Sequence, residues 1–267
     1  VEHHPAIGLH TDLSYLQDSN PAHTLDLYLP DGKTGEPLIM FVHGGAWISG
    51  DKSLCTGLGK RFARAGYAVA VPNYRLSPEG SPVVSPDHVK DAAAAYAWLE
   101  AHAGDYGFSA KDIFVGGHSA GGHTAGMLAT GSFLKDAGAR EMPAGFYGLE
   151  GVYDIPALDQ KFPKYRSWFL NKGFGGGANW KKLSPTRRPL VVNAPWLLVQ
   201  SNEDELVDKG QMIGFKEHLT EQHVVSLEAV TDDLGTHDGM INEVSETGNK
   251  TDKIIIEWIE GVLKHRK

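Results

Sequence analysis

Apolar residues fall along this chain in short unbroken runs, separated by stretches with helical spacing. Pro37–Val42, Tyr67–Val71, Asp112–Gly116, Ala194–Ser201 and His223–Val230 read as strands. A strand covered on both faces needs apolar side chains at odd and even positions alike, so continuous runs of this length predict a buried parallel sheet. Leu25–Leu29 alternates apolar and polar instead, and predicts an early antiparallel strand. From Asp87 to Ala103 the spacing turns helical, with Val89, Ala93, Tyr96, Ala97 and Trp98 as core contacts, and Ile255, Ile256, Ile259 and Leu263 mark a terminal helix.

The alternation of strands and helices continues without a Pro/Ser linker or an internal repeat. It predicts one α/β domain over 1–267, with a mostly parallel central sheet flanked by helices. One segment breaks the rhythm: 154–195 is irregular, rich in glycine and aromatic residues, and reads as a small lid insertion. Its Trp168, Phe169, Phe174 and Trp180, together with Trp47, form either an apolar wall for substrate or simple packing of the insertion onto the body.

Composition narrows the classes. With 41% hydrophobic and 22% charged residues among 267, the chain suits a globular enzyme of ordinary core size. Its net charge of −8 and lack of a long basic stretch argue against nucleic acid as a partner. No apolar run approaches the roughly 20 residues of a spanning helix, so no membrane span is expected. A single cysteine, Cys55, leaves no intrachain disulfide. The 13 histidines show neither an H-E-x-x-H element nor Cys/His pair spacing, and no metal or other cofactor is expected. The chain opens on Val1, read as the mark of a removed leader or a trimmed terminus. With the sequon Asn249-Lys250-Thr251 this leans the expectation toward a secreted or extracytoplasmic location over a cytoplasmic one. Oligomeric state has no signature in the sequence.

Chemistry enters at two loops. Gly117-His118-Ser119-Ala120-Gly121 follows a predicted strand, and a G-x-S-x-G element there holds a serine on a tight turn at a helix start. A Gly/Ser loop that merely ends a strand would carry the same five residues, but the upstream strand runs into a second small-residue loop, His43-Gly44-Gly45-Ala46-Trp47. Backbone N–H groups exposed by such a loop stabilise the oxyanion of acyl transfer. Gly45 and Ala46 are the candidate donors, joined by Ala120 after the nucleophile, whose N–H the helix N-terminus makes electropositive. His43 reads as a residue that pins the loop.

These motifs resemble the α/β-hydrolase superfamily, and within it the esterases related to hormone-sensitive lipase and the kynurenine formamidases. Tyr74-Arg75-Leu76-Ser77-Pro78-Glu79 is similar to Y-R-L-A-P-E of the lipase-like esterases, and Gly148 to Ile155 to the S-G-V-Y-D-L segment of formamidases. The H-G-G-A-W loop sits closer to the formamidase form than to H-G-G-G. The resemblance implies the α/β-hydrolase fold and a triad in the chain order nucleophile, acid, histidine. Ser119 is then the nucleophile. Asp204 aligns with the acid, though Glu203, Glu205 and Asp208 crowd the same turn. His237, after the last predicted strand, is the expected base. His118 and His123 flank the serine, and either contact substrate or pack.

The function this implies is hydrolysis of small aryl or short-acyl carboxylic esters through an acyl-enzyme on Ser119. Substrate contacts are expected from Trp47, His118, Trp168 and Phe174. The alternative activity is that of an arylformamidase acting on N-formylkynurenine, and a hydrolase-fold binding protein without catalysis is the reading from another class.

Overall fold

The computed structural model describes residues 6–242 and 249–266. Eight strands, in the order β1-β2-β4-β3-β5-β6-β7-β8, form its sheet. They span Ile7–Ser14 (β1), Thr24–Pro30 (β2), Glu36–Val42 (β3), Ala68–Pro72 (β4), Phe108–His118 (β5), Gly145–Leu149 (β6), Trp196–Ser201 (β7) and Leu227–Asp232 (β8). β2 runs antiparallel to β1 and β4, and every pairing from β4 onward to β8 is parallel. The mostly parallel sheet expected from the apolar runs is the one observed.

β3 shows why the runs are continuous. Leu38, Met40 and Val42 point to one face and join the core beneath α2 (Asp87–Tyr106) and α3 (Ala120–Ala129). Ile39 and Phe41 point to the other and meet α1 (Thr56–Arg64) and the terminal helix Lys250–His265, through Phe62 and Trp258. In β2 the alternation has a different cause from the one the pattern predicts. Its polar member Asp26 is buried rather than solvated, because the Lys52 ammonium donates to its carboxylate at 2.7 Å.

Two further boundaries differ from expectation. The run His223–Val230 does not form a strand from its start. His223 takes a left-handed φ of 55° and closes the helix Lys209–Glu221, the Val224 N–H returning to the Leu219 carbonyl at 3.1 Å, so β8 begins at Leu227. The segment 154–195 is less irregular than its composition predicts. It holds the helix Ile155–Lys161, capped by Asp154 on the Ala157 N–H, and a π-helical turn Arg166–Leu170 that continues into Asn171–Phe174. Among the described residues no helix is long and apolar enough to cross a membrane.

Candidate active site

The parallel strands deliver their carboxyl ends to one edge, and the sequence motifs meet there. β5 runs into α3 through Ser119, whose φ of 56° and ψ of −115° place a non-glycine residue in strained backbone. The glycines around it are required sterically. A Cβ on Gly117 would lie 2.2 Å from the Gly121 backbone, and one on Gly121 would lie 1.9 Å from the Val42 carbonyl oxygen. The turn is further fixed by the Ser119 N–H, which donates to the Leu149 carbonyl at 2.9 Å.

The loop after β3 lies beside it. Gly45, Ala46 and Trp47 all have positive φ, at 127°, 53° and 61°. The turn is closed by the Ile48 and Ser49 N–H groups on the Gly45 carbonyl. His43 is buried, stacks on Tyr74 at 4.6 Å and donates from Nδ1 to the Gly44 carbonyl, while the Tyr74 hydroxyl donates to the His43 carbonyl. Among the described residues the N–H groups of Gly45 and Ala46 meet no acceptor. That leaves them free for a substrate oxygen.

His237 follows β8, and both Asp204 carboxylate oxygens lie 3.0 Å from its Nδ1. Tertiary structure also separates the four crowded acids. Asp204 accepts from the Leu206 and Val207 N–H groups and from Gln200 Nε2. Glu203 takes the Gly235 N–H, Glu205 takes the His237 N–H, and Asp208 caps the helix Lys209–Glu221. Burial works to raise the Asp204 carboxyl. The hydrogen bond and charge of His237, with the Val207 and Leu206 N–H groups, outweigh it and hold the group below its ordinary range. With Nδ1 committed to Asp204, Nε2 is the ring nitrogen of His237 left for a reacting group.

Ser119 and His237 line the same cavity, of about 560 Å³. One wall is aromatic, with Tyr165, Phe169 and Trp168, the last 50% exposed at the rim. Phe41, Ile48, Leu54, Cys55 and Ile241 also line it. Trp47 lines the cavity with a ring that is otherwise buried. Phe174 does not reach it. Its ring packs edge-on behind Trp47 at 4.7 Å and against His123, so the expected substrate contact is a packing contact. His118 touches the cavity, but its Nε2 is spent on the His237 carbonyl at 2.9 Å and on Glu150 at 3.0 Å. His123 donates to the Leu183 carbonyl at 2.8 Å and serves packing.

Glu150 is the residue that sequence reasoning missed. It follows β6, is fully buried, and brings Oε2 to 3.3 Å from His237 Nδ1. Its signal was an acid in place of the serine of the S-G-V-Y-D-L segment. His118, Glu150 and His237 offer ligand atoms within 4.8 Å of one another, a spacing open to a metal ion. Their hydrogen bonding does not fit that use. A carbonyl oxygen only accepts, so His118 Nε2 must carry a proton toward the His237 carbonyl and has no lone pair for a metal.

Burial depresses several histidines here and in the adjoining core: His88 and His118 to about 3 and His123 to about 4. Below the ordinary 6.5 the unfolded chain protonates each one while the native state refuses the proton. Stability is therefore full above 6.5 and falls with pH by ~1.4 kcal/mol per pH unit for each group, down to about 4 for His123 and about 3 for His88 and His118. Calorimetry should find a marked drop in Tm between pH 7 and pH 5. An unchanged Tm would show that these rings are protonated in the native state.

A sheet of this topology, with a serine elbow after β5, an acid after β7 and a histidine after β8, is the α/β-hydrolase fold. Within that superfamily the chain belongs to the BD-FAE family, whose model matches residues 25–219. It is 34% identical over 193 residues to a probable isoprenylcysteine alpha-carbonyl methylesterase of Arabidopsis thaliana, a match covering 68% of this chain and 39% of that protein. The chain thus spans about two fifths of the length of this plant relative. It is also 27% identical over 261 residues to the kynurenine formamidase of Meyerozyma guilliermondii, covering 84% of this chain and 94% of that one. Esterase B of Lactobacillus Rhamnosis superposes with a TM-score of 0.84 at 22% identity, covering all of this chain and 89% of the other.

Proposed function

We propose that the protein is a serine carboxylic-ester hydrolase acting on small aryl or short-acyl esters. The observation that carries this reading is the His237–Asp204 pair at 3.0 Å beside a serine held on a strained elbow in the same cavity. In the proposed reaction Ser119 Oγ attacks the ester carbonyl carbon as its proton passes to His237 Nε2, and Asp204 stabilises the imidazolium that forms. The oxyanion is held by the N–H groups of Gly45, Ala46 and Ala120, the last at the positive end of α3. Collapse of the tetrahedral intermediate expels the alcohol, which takes the proton from His237. Water activated by the same base then releases the acid. The apolar lining supplies a seat for the ester, and relatives named carboxylic ester hydrolases and methylesterases support this substrate class.

Formamidase activity is the second reading, favoured by the H-G-G-A-W loop and by the kynurenine formamidase match along nearly its whole length. A p-nitrophenyl ester series run beside N-formylkynurenine, with a chelator present, separates them. The expected result is fast turnover of acetate and butyrate esters, little of the formamide, and no loss on chelation. Formamide turnover above that of the esters would transfer the protein to the second reading, and loss to the chelator restored by added zinc would remove the metal-free mechanism.

A further inference from the structure

We propose that Glu150 is a second carboxylate of the triad, a positioning residue that shares His237 with Asp204 and takes over its role when Asp204 is lost. The proposal rests on the reading of Ser119 and His237 as the reacting pair.

Placement is the first argument. Glu150 follows β6 as Asp204 follows β7, so the sheet aims both carboxylates at the same imidazole from adjacent strand ends. The backbone there is strained: Glu150 has a φ of 49°, held by its N–H on the Val199 carbonyl at 2.8 Å. Packing alone would not select a carboxyl for this position. The side chain has no solvent exposure, and Oε1 has no hydrogen-bond partner among the described residues. A buried polar group left unpaired costs about 1–3 kcal/mol, a penalty that an apolar residue of similar size would not carry.

Contacts are the second argument. Oε2 lies 3.0 Å from His118 Nε2 and 3.3 Å from His237 Nδ1. Nδ1 thus faces three carboxylate oxygens, the two of Asp204 at 3.0 Å and that of Glu150 slightly farther. Asp204 holds the proton-bearing nitrogen in the resting protein and Glu150 flanks it. His118 links the two sides, because the same Nε2–H that faces Glu150 also tethers the His237 backbone carbonyl.

Charge is the third. The groups facing Glu150 are His118 from β5, His237 from the loop after β8 with Asp238 beyond it, and Asp204 and Glu205 from the loop after β7. Burial first, then the charge of Asp204, with smaller contributions from Glu205 and Asp238, push its carboxyl up to about 9 against one opposing backbone N–H at Ser201. Two carboxylates on one imidazole do not both ionise near neutrality. The N–H groups aimed at Oε2 leave the proton on Oε1. Removing the Asp204 charge removes the largest neighbouring anion. Glu150 then releases its proton to solvent at lower pH, and Nδ1–H turns to Oε2.

The test is a double-mutant cycle read through turnover of p-nitrophenyl acetate and its pH profile. Asp204→Ala should keep turnover within about 100-fold of wild type, and adding Glu150→Gln should cost a further 100-fold or so. The Asp204→Ala profile should gain an ascending limb that Glu150→Gln abolishes. Asp204→Ser keeps a hydroxyl acceptor near the Leu206 and Val207 N–H groups without an amide that would donate to His237 Nδ1 and fix the wrong tautomer, and is read the same way if the alanine variant does not fold. An Asp204 variant as inactive as Ser119→Ala, or equal losses from Glu150→Gln in both backgrounds with no change of profile, would overturn the proposal and leave Glu150 a packing residue. Wild-type turnover and covalent fluorophosphonate labelling are measured alongside. Absence of both defeats the serine-hydrolase reading itself, whereas their presence confines a negative result to Glu150.

Discussion

Ser119→Ala is expected to lower turnover of a p-nitrophenyl ester by about 10⁴- to 10⁶-fold and to abolish fluorophosphonate labelling, with Tm changed little. The substitution is sterically mild. Ser119 already sits at a φ of 56° with a Cβ, so alanine brings no backbone strain that serine does not bear. In the proposed mechanism the hydroxyl is removed while the N–H groups of Gly45, Ala46 and Ala120 stay in place, and as the proposed oxyanion donors they sustain only the small residual rate that oxyanion stabilisation and binding supply without a nucleophile. Other nucleophiles around the cavity are poorly suited to substitute. Ser49 donates its hydroxyl to the Gly45 carbonyl at 3.0 Å, and burial pushes the Cys55 thiol up to about 12. Retention of more than a tenth of wild-type turnover would mean that the chemistry runs elsewhere.

What was legible in the sequence follows from the range over which each feature is determined. The sheet could be read because a strand buried on both faces must be apolar throughout, a constraint contained in five or six consecutive residues. The elbow and the H-G-G-A-W loop could be read because their glycines answer close contacts, as at Gly117 and Gly121, that tolerate no other residue. The acid was ambiguous for the opposite reason. Glu203, Glu205 and Asp208 are chemically equivalent to Asp204 in the sequence, and only N–H groups brought in from Gly235, from His237 and from the start of the following helix assign each one a different partner. Phe174 and Trp168 posed the same difficulty: both are aromatics in a glycine-rich insertion, yet one packs behind Trp47 and the other stands at the rim. Glu150 was hidden because its significance depends on His118, one strand earlier, and on His237, two strands later. No local pattern carries that information.

Gly121→Ala is expected to destabilise the protein by on the order of 4 kcal/mol or more, enough to reduce soluble yield sharply, although alanine is the better helix former. A Cβ at this position would lie 1.9 Å from the Val42 carbonyl oxygen, 2.7 Å from its carbon and 3.1 Å from the His43 carbonyl oxygen. Those are backbone atoms at the carboxyl end of β3, which is hydrogen-bonded between β4 and β5, so no side chain can swing aside to relieve the overlap. Gly104→Ala provides the contrast. It lies in α2 with nothing within 4 Å of the added methyl, and should raise stability by up to about 1 kcal/mol on helix propensity alone. Denaturant unfolding of the two variants measures the difference, and a Gly121→Ala protein within 1 kcal/mol of wild type would mean that α3 can lift from the sheet at little cost. Any such lift has a second consequence. β3 leads into the loop carrying Gly45 and Ala46, and α3 begins beside Ser119, so relieving the overlap shifts the proposed oxyanion donors relative to the proposed nucleophile. Residual folded Gly121→Ala protein should therefore show a lowered kcat as well as a lowered Tm, because the same close approach of helix to strand sets both.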